Sequence, residues 1–206
     1  MDGLELIGIG GVGKALHGPG CRWPQGIARQ LLEEEEAGSL IADFKKKTRQ
    51  RHLDKSAERG IAALHGSFEA TGLAQVELDA APERVGLLIA TCCGPDSTRA
   101  AYLSSYLSRG RSSVSATLFT NCGFNITGAM MARSRNIRGP VLTLIPDRNP
   151  GQALVEMAQL LFASKRMDLA FLAHVDKDNG IVLCVRPAKD VRCSAASIGG
   201  IIEAFW

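Results

Sequence analysis

Apolar positions along the chain fall into short unbroken runs and longer helically spaced stretches, and the two alternate. Leu4 to Ile9 is a short apolar run closing on glycines, the pattern of a buried strand. Ile27 to Ala37 (IARQLLEEEEA) predicts a short helix, with Gly38 at its C-terminal end. Residues 42 to 55 (ADFKKKTRQRHLDK) form a basic segment, read as a solvated face or loop rather than a binding patch. Ser56 to Thr71 predicts a second helix, with Ile61, Leu64, Phe68 and Thr71 at spacings of three and four, ended by Gly72. Arg84 to Thr91 (RVGLLIAT) is continuously apolar, as in a parallel strand covered on both faces. Thr98 to Leu107 and Asn125 to Arg135 predict helices, Val141 to Ile145 a strand after Gly139-Pro140, and Gly151 to Ser164 the most periodic helix. Asp168 to Val175 and Gly180 to Val185 predict two strands around the turn signal DKDNG, followed by a small-residue tail ending in IIEAFW.

The predicted order is β-α-α-β-α-α-β-α-β-β. Strands alternating with helices imply an α/β fold: a layered, mixed, mostly parallel five-stranded sheet with helices on both faces. The last two strands are expected to make one edge antiparallel. No repeat or linker divides the chain, so residues 1 to 206 are read as one domain.

The 206 residues suffice for one domain with a sizeable core. A formal net charge of +3 gives no case for nucleic-acid or membrane-surface binding. No apolar run reaches the length of a membrane span, and MDGLELIGIGG lacks the basic start of a secretory signal. Six cysteines (Cys21, Cys92, Cys93, Cys122, Cys184, Cys193) are scattered without a C-x-x-C pair, which suits a reduced, cytoplasmic protein. The four histidines (His17, His52, His65, His174) are equally dispersed. Neither a metal nor a cofactor is expected.

Gly8, Gly10 and Gly13 spell G-x-G-x-x-G, and Gly8 to Lys14 spells G-x-x-x-x-G-K. Both readings as a nucleotide site fail on their surroundings. A dinucleotide turn needs a helix to begin at the glycines, and LHGPGCRWP cannot continue as one. It also needs an acidic residue after the next strand, whereas Glu33 to Glu36 lie within a helical pattern with no strand predicted before them. A P-loop needs a Ser or Thr hydroxyl where Ala15 stands. The glycines are read instead as the tight exit of the first strand, close to neighbouring elements.

Several strings together resemble one family. LIGIGGVGKAL, residues 51 to 73 (RHLDKSAERGIAALHGSFEATGL), residues 84 to 94 (RVGLLIATCCG) and above all residues 124 to 144 (FNITGAMMARSRNIRGPVLTL) resemble the N-terminal half of a β-ketoacyl synthase. That resemblance, over roughly residues 4 to 187, implies half of a thiolase-like fold and a role in fatty-acid or polyketide-type biosynthesis. After its "GPxLTV" strand the family carries a nucleophilic cysteine that opens a helix. Counting from Gly139, Arg148 stands there, flanked by Pro146, Asp147, Asn149 and Pro150. A guanidinium is no acyl acceptor. The family's two further catalytic histidines belong to its C-terminal half, which the resemblance does not reach. No catalytic residue is therefore assigned, and independent activity is not expected. Arg148 is read as a surface or salt-bridging arginine, with Asp147 as the candidate partner, or as a cation for an anionic partner or carrier phosphate.

In the family, the strand before the nucleophile loop pairs with its copy in a second subunit. The resemblance makes Val141, Leu142, Thr143 and Leu144 a dimer-edge strand. It makes Phe119, Phe124, Asn125 and Arg148 candidates for an interface or acyl tunnel, with plain core aromatics as the alternative for the two phenylalanines. Three functions stay open. The first is a catalytically silent subunit, in a homodimer or in a heterodimer with a full-length ketosynthase. The second is a stand-alone module binding acyl groups or acyl carrier protein. The third is an enzyme of different chemistry at Cys92 and Cys93, weighed against those two being buried hydrophobes.

Overall fold

The computed structural model describes residues 3–17, 23–50, 52–73, 75–188 and 195–204. In chain order the elements are β1 (Leu4–Val12), β2 (Arg29–Leu32), α1 (Glu34–Thr48), α2 (Lys55–Thr71), α3 (Gln75–Ala80), β3 (Val85–Ala90), α4 (Asp96–Arg109), α5 (Ala116–Thr120), α6 (Ile126–Ser134), β4 (Val141–Leu144), α7 (Pro150–Ala163), β5 (Leu169–Val175), β6 (Gly180–Pro187) and α8 (Ala195–Glu203).

One six-stranded sheet of order β2-β1-β6-β5-β3-β4 forms the middle layer. The β1–β2, β3–β5 and β3–β4 pairs are parallel, while β6 runs antiparallel to both β1 and β5. The expectation of a mixed, mostly parallel sheet holds, and two details change. The sheet has a sixth strand, β2, inside the stretch read as a helix from Ile27 to Ala37. Parallel pairing with Ile9 to Val12 takes Arg29 to Leu32 into the sheet, and the helix starts only at Glu34. The β5–β6 hairpin lies at the centre, not at an edge. Its strands are apolar on both faces, and Gly180 to Val185 are all buried, as a central position requires.

Each face of the sheet carries its own core. On one side α1, α2 and α6 pack over Leu87, Ile89, Phe171, Ala173 and Val182; on the other, α7 and α8 cover Leu88, Ala90, Leu172, Leu183 and Val185. Each fully buried leucine or isoleucine contributes about 1.5–3 kcal/mol. Lys55, the last residue of the basic segment, opens α2, and residues 42–48 of that segment are the second half of α1. Glu34, Glu35 and Glu36 fill that helix's first turn and Lys45, Lys46 and Lys47 its last, the arrangement its dipole favours.

The opening glycines have a packing role. Gly8, Gly10 and Gly11 lie within β1 rather than at its exit; Gly13, with φ +127°, makes the exit. A Cβ on Gly10 would overlap the Ser67 nitrogen and the Ala63 carbonyl of α2, and a Cβ on Gly66 would stand 2.6 Å from the Gln30 carbonyl oxygen. Glycine on both sides lets α2 sit directly on β1 and β2. Glu33 to Glu36 do follow a strand, contrary to the sequence reading. Gly8 and Gly10 nevertheless face α2, and Gly13 faces Asp178 and Asn179, which leaves no room there for a phosphate. Part of LHGPGCRWP lies outside the described residues, as do Cys21, Cys193 and the end of the IIEAFW tail.

Candidate functional site

The parallel strands β3, β4 and β5 run in one direction, and the loops leaving β3 and β4 gather the predicted site residues at one end of the sheet. Gly139 brings the chain into β4, where a Cβ would stand 2.6 Å from the Glu83 carbonyl oxygen. The β4 strand then pairs with β3 in the register Leu87↔Val141 to Ala90↔Leu144. Leu87 N donates to Pro140 O at 2.8 Å and Thr91 N to Leu144 O at 3.1 Å. Backbone groups of residues 140, 142 and 144 thus face β3, and those of Val141 and Thr143 point outward along the open edge. All four residues of β4 are half-buried and none is charged. Thr143 Oγ1 is shielded from solvent and has no hydrogen-bond partner among the described residues.

Arg148 is exposed in the loop between β4 and α7. Asn149, with φ +50°, precedes the first turn of α7, and Pro150 opens that helix. Among the described residues no ion pair joins Arg148 to Asp147 or to any other acid, so the pairing expected from sequence does not form. No described cysteine lies in this loop. The α8 helix packs against α7 through Gly151 and Gly199, whose backbones touch. Its Glu203 accepts from Gln152 N at 3.3 Å, which puts a carboxylate at the positive end of α7.

The loop after β3 is fixed by Thr91, whose Oγ1 accepts from Gly94 N at 3.0 Å. Gly94 has φ +59°, and the Phe124 ring stands 2.5 Å from where its Cβ would be. The Arg99 guanidinium lies 5.0 Å from the centre of the Phe124 ring, and its Nη1 donates to Cys93 O at 3.3 Å. Phe124 is therefore half-buried between this loop and Arg99. Phe119 is 64% exposed and packs on Tyr102, with ring centroids 5.9 Å apart. Neither ring is a core aromatic. Asn125 is exposed at the start of α6, with no side-chain capping bond.

Asp54 holds the neighbouring helices in place. It caps α2, with Ser56 N donating to Oδ1, while Ser97 Oγ, Thr98 N and Thr98 Oγ1 of α4 donate to Oδ2. Burial alone would raise its pKa; the bonds from Ser97, Ser56 and Thr98 outweigh that and hold the carboxyl below the ordinary aspartate value. The sequence reading missed this residue. Asp54 just before Ser56 is a visible capping signal, but its second partner lies 43 residues away.

Cys92 and Cys93 are both exposed, which corrects their reading as buried hydrophobes. Their peptide leaves the sheet at Thr91, so neither side chain reaches the core. Partial desolvation of its thiol, together with the neighbouring Cys93, pushes Cys92 up to about 11. His174 lies one strand away, in register with Ala90, and is 1% exposed; its Nδ1 is 3.3 Å from Ala90 O. Among the described residues no group of three or more His, Cys, Asp or Glu is arranged to hold a metal, and no helix is long and apolar enough to cross a membrane.

Several large apolar side chains are exposed. Leu103, Tyr106 and Leu107 of α4 and Phe119 of α5 are exposed, as are Ile145 after β4 and Leu160 on α7. A separate groove of about 450 Å³ is lined by Leu4, Leu160, Phe162, Ala163 and Pro187.

No family model matches the chain, and no curated protein matches it in sequence. Solved structures do match in fold. The chain is similar to a ketosynthase solved with its type II polyketide acyl carrier protein and a bound hexaketide (TM-score 0.66, 10% identity, 92% of this chain and 63% of that one). It is also similar to the ishigamide ketosynthase/chain length factor (TM-score 0.63, 15% identity, 91% and 59%). A β-ketoacyl synthase from Burkholderia phymatum matches at TM-score 0.58 and 11% identity, over 92% of this chain and 60% of that one. The chain thus has the thiolase-like fold of the ketosynthases, and it spans roughly three fifths of the length of those structures.

Proposed function

We propose that this chain is a ketosynthase-like partner subunit without condensation chemistry of its own, acting in polyketide-type or fatty-acid biosynthesis beside an active condensing enzyme. The observation that carries this reading is Arg148. It occupies the β4–α7 loop at the position where the resemblance calls for a nucleophilic cysteine, and it is exposed and outside every ion pair among the described residues. An always-charged guanidinium accepts no acyl group.

Two surfaces support partnering. The β4 edge is uncharged, with the backbone groups of Val141 and Thr143 left open, and an uncovered edge of that kind invites another strand. The exposed side chains of α4 and α5 offer an apolar face of the sort that interfaces cover. One of the similar solved structures is a ketosynthase/chain length factor, and another is a ketosynthase bound to an acyl carrier protein. A second reading, an acyl-binding module, draws on the groove beside Leu160 and Phe162. A role for Cys92 as an enzyme's catalytic nucleophile is disfavoured, since a thiol pushed up to about 11 is almost wholly protonated at neutral pH.

The test is the mass of the chain in solution, alone and mixed with a full-length ketosynthase. A stable complex containing both chains is expected. A monomer indifferent to every candidate synthase, yet shifted by an acyl thioester, would replace the first reading with the second.

A further inference from the structure

The loop after β3 presents two thiols on adjacent residues, and nothing in the proposed partner role uses them. Cys92 Sγ and Cys93 Sγ lie 3.2 Å apart, both side chains are exposed, and the peptide between them is trans. We propose that Cys92 and Cys93 form a reversible dithiol–disulfide couple, oxidised by small-molecule disulfides of the glutathione class.

The exchange balances within the loop. The thiolate of one cysteine attacks a sulfur of oxidised glutathione, breaks its S–S bond and releases one glutathione thiolate, which takes up a proton. The neighbouring thiolate then attacks the protein sulfur of that mixed disulfide and releases the second glutathione. The two cysteines lose two electrons and two protons, and oxidised glutathione gains them. The second step is intramolecular, because the attacking sulfur is already beside its target.

The closed form is strained. Adjacent Cα atoms on a trans peptide are about 3.8 Å apart, below the roughly 4.4–6.8 Å that disulfides usually span. Strained, exposed disulfides are the readily reduced ones, which suits a switch rather than a staple. The elevated pKa of Cys92 makes exchange faster as pH rises. Arg99 donates to the carbonyl of Cys93, the residue that closes the ring, and Arg99 lies over Phe124. The couple therefore adjoins residues beside the α4–α5 face.

The experiment treats the full chain with oxidised glutathione, alkylates remaining thiols and reads the peptide containing residues 92 and 93 by mass spectrometry. The expected product has lost two hydrogens, carries no alkyl group or glutathione, and returns to the dialkylated form after reduced glutathione. Cys92→Ser and Cys93→Ser should each retain one glutathione on the remaining cysteine. Separate glutathione adducts on both wild-type cysteines, a bond to Cys122 or to another chain, or full alkylation after oxidation would each overturn the couple.

Discussion

Thr98 gives Asp54 both its backbone N–H and its hydroxyl, each at 2.9 Å, so one carboxylate ties the first turn of α4 to the cap of α2. That link crosses from the helix on the sheet's face to the helix that follows the loop carrying Cys92, Cys93 and Gly94. It explains why a carboxylate only 5% exposed remains ionised.

Asp54→Ala should therefore destabilise the fold by at least about 2 kcal/mol, since it strands several buried donors at once. Asp54→Asn keeps the shape and removes the charge, so it separates the pH effect. A carboxyl whose folded pKa lies below its unfolded value near 3.8 contributes stability that is complete above that value and fades as pH falls beneath it. Urea midpoints at pH 7 and pH 3 should show a smaller acid loss for Asp54→Asn than for the wild type. Parallel acid losses would remove Asp54 from the account.

Gly10→Ala tests the contact between β1 and α2. The new methyl meets helix backbone, which cannot rotate away as a side chain can. Overpacking of this kind costs typically 1–3 kcal/mol, and the rigid neighbour puts this site at about the upper end or beyond. Gly38→Ala, on α1 with open space around it, is the control and should be neutral or slightly stabilising. Equal denaturation midpoints for the two variants would contradict the packing role of Gly10.

Elements with strong apolar signals were legible from sequence. The unbroken runs of β3 and β5, the helical spacing of α2 and the long apolar face of α7 each fix their own structure locally. Arg29 to Leu32 has no such signal: four residues beginning Arg-Gln become a strand only because β1 offers a parallel partner. The central place of β6 was hidden for the same reason, since pairing order is decided by long-range contacts. That Arg148 lies in a loop was legible because the apolar run of β4 and the helical spacing of α7 stand on either side of it. Exposure of Phe119, Cys92 and Cys93 was not, because it depends on how the loop after β3 leaves the sheet and on where α5 packs.

Thr143→Val should leave the single chain as stable or raise it by up to about 1 kcal/mol. The hydroxyl is shielded and unpaired, so its loss removes a desolvated polar group while the β-branched shape stays. Thermal unfolding of the isolated chain checks this. A clear drop would mean that Oγ1 has a partner in solution.

Leu107→Glu addresses the apolar face of α4. Leu107 is 80% exposed, so the substitution should change stability by less than about 0.5 kcal/mol. A charge in the middle of a covered interface is far costlier, and binding to a full-length ketosynthase should weaken at least tenfold. Unchanged affinity in a titration would exclude this face from the interface.

Thr143→Pro probes the β4 edge itself. The Thr143 N–H points away from β3, so proline removes no hydrogen bond inside the sheet, and edge strands tolerate proline for that reason. The restriction that proline imposes on its predecessor also fits, because Leu142 is already in extended backbone. Far-UV circular dichroism should therefore match the wild type. A second strand docking on β4 would lose a donor and meet the pyrrolidine ring, so pairing across this edge should fail. Analytical ultracentrifugation should then find a folded monomer that no longer joins the synthase. A folded Thr143→Pro variant that still forms the complex would move the partner away from β4 and leave the α4–α5 face to carry it.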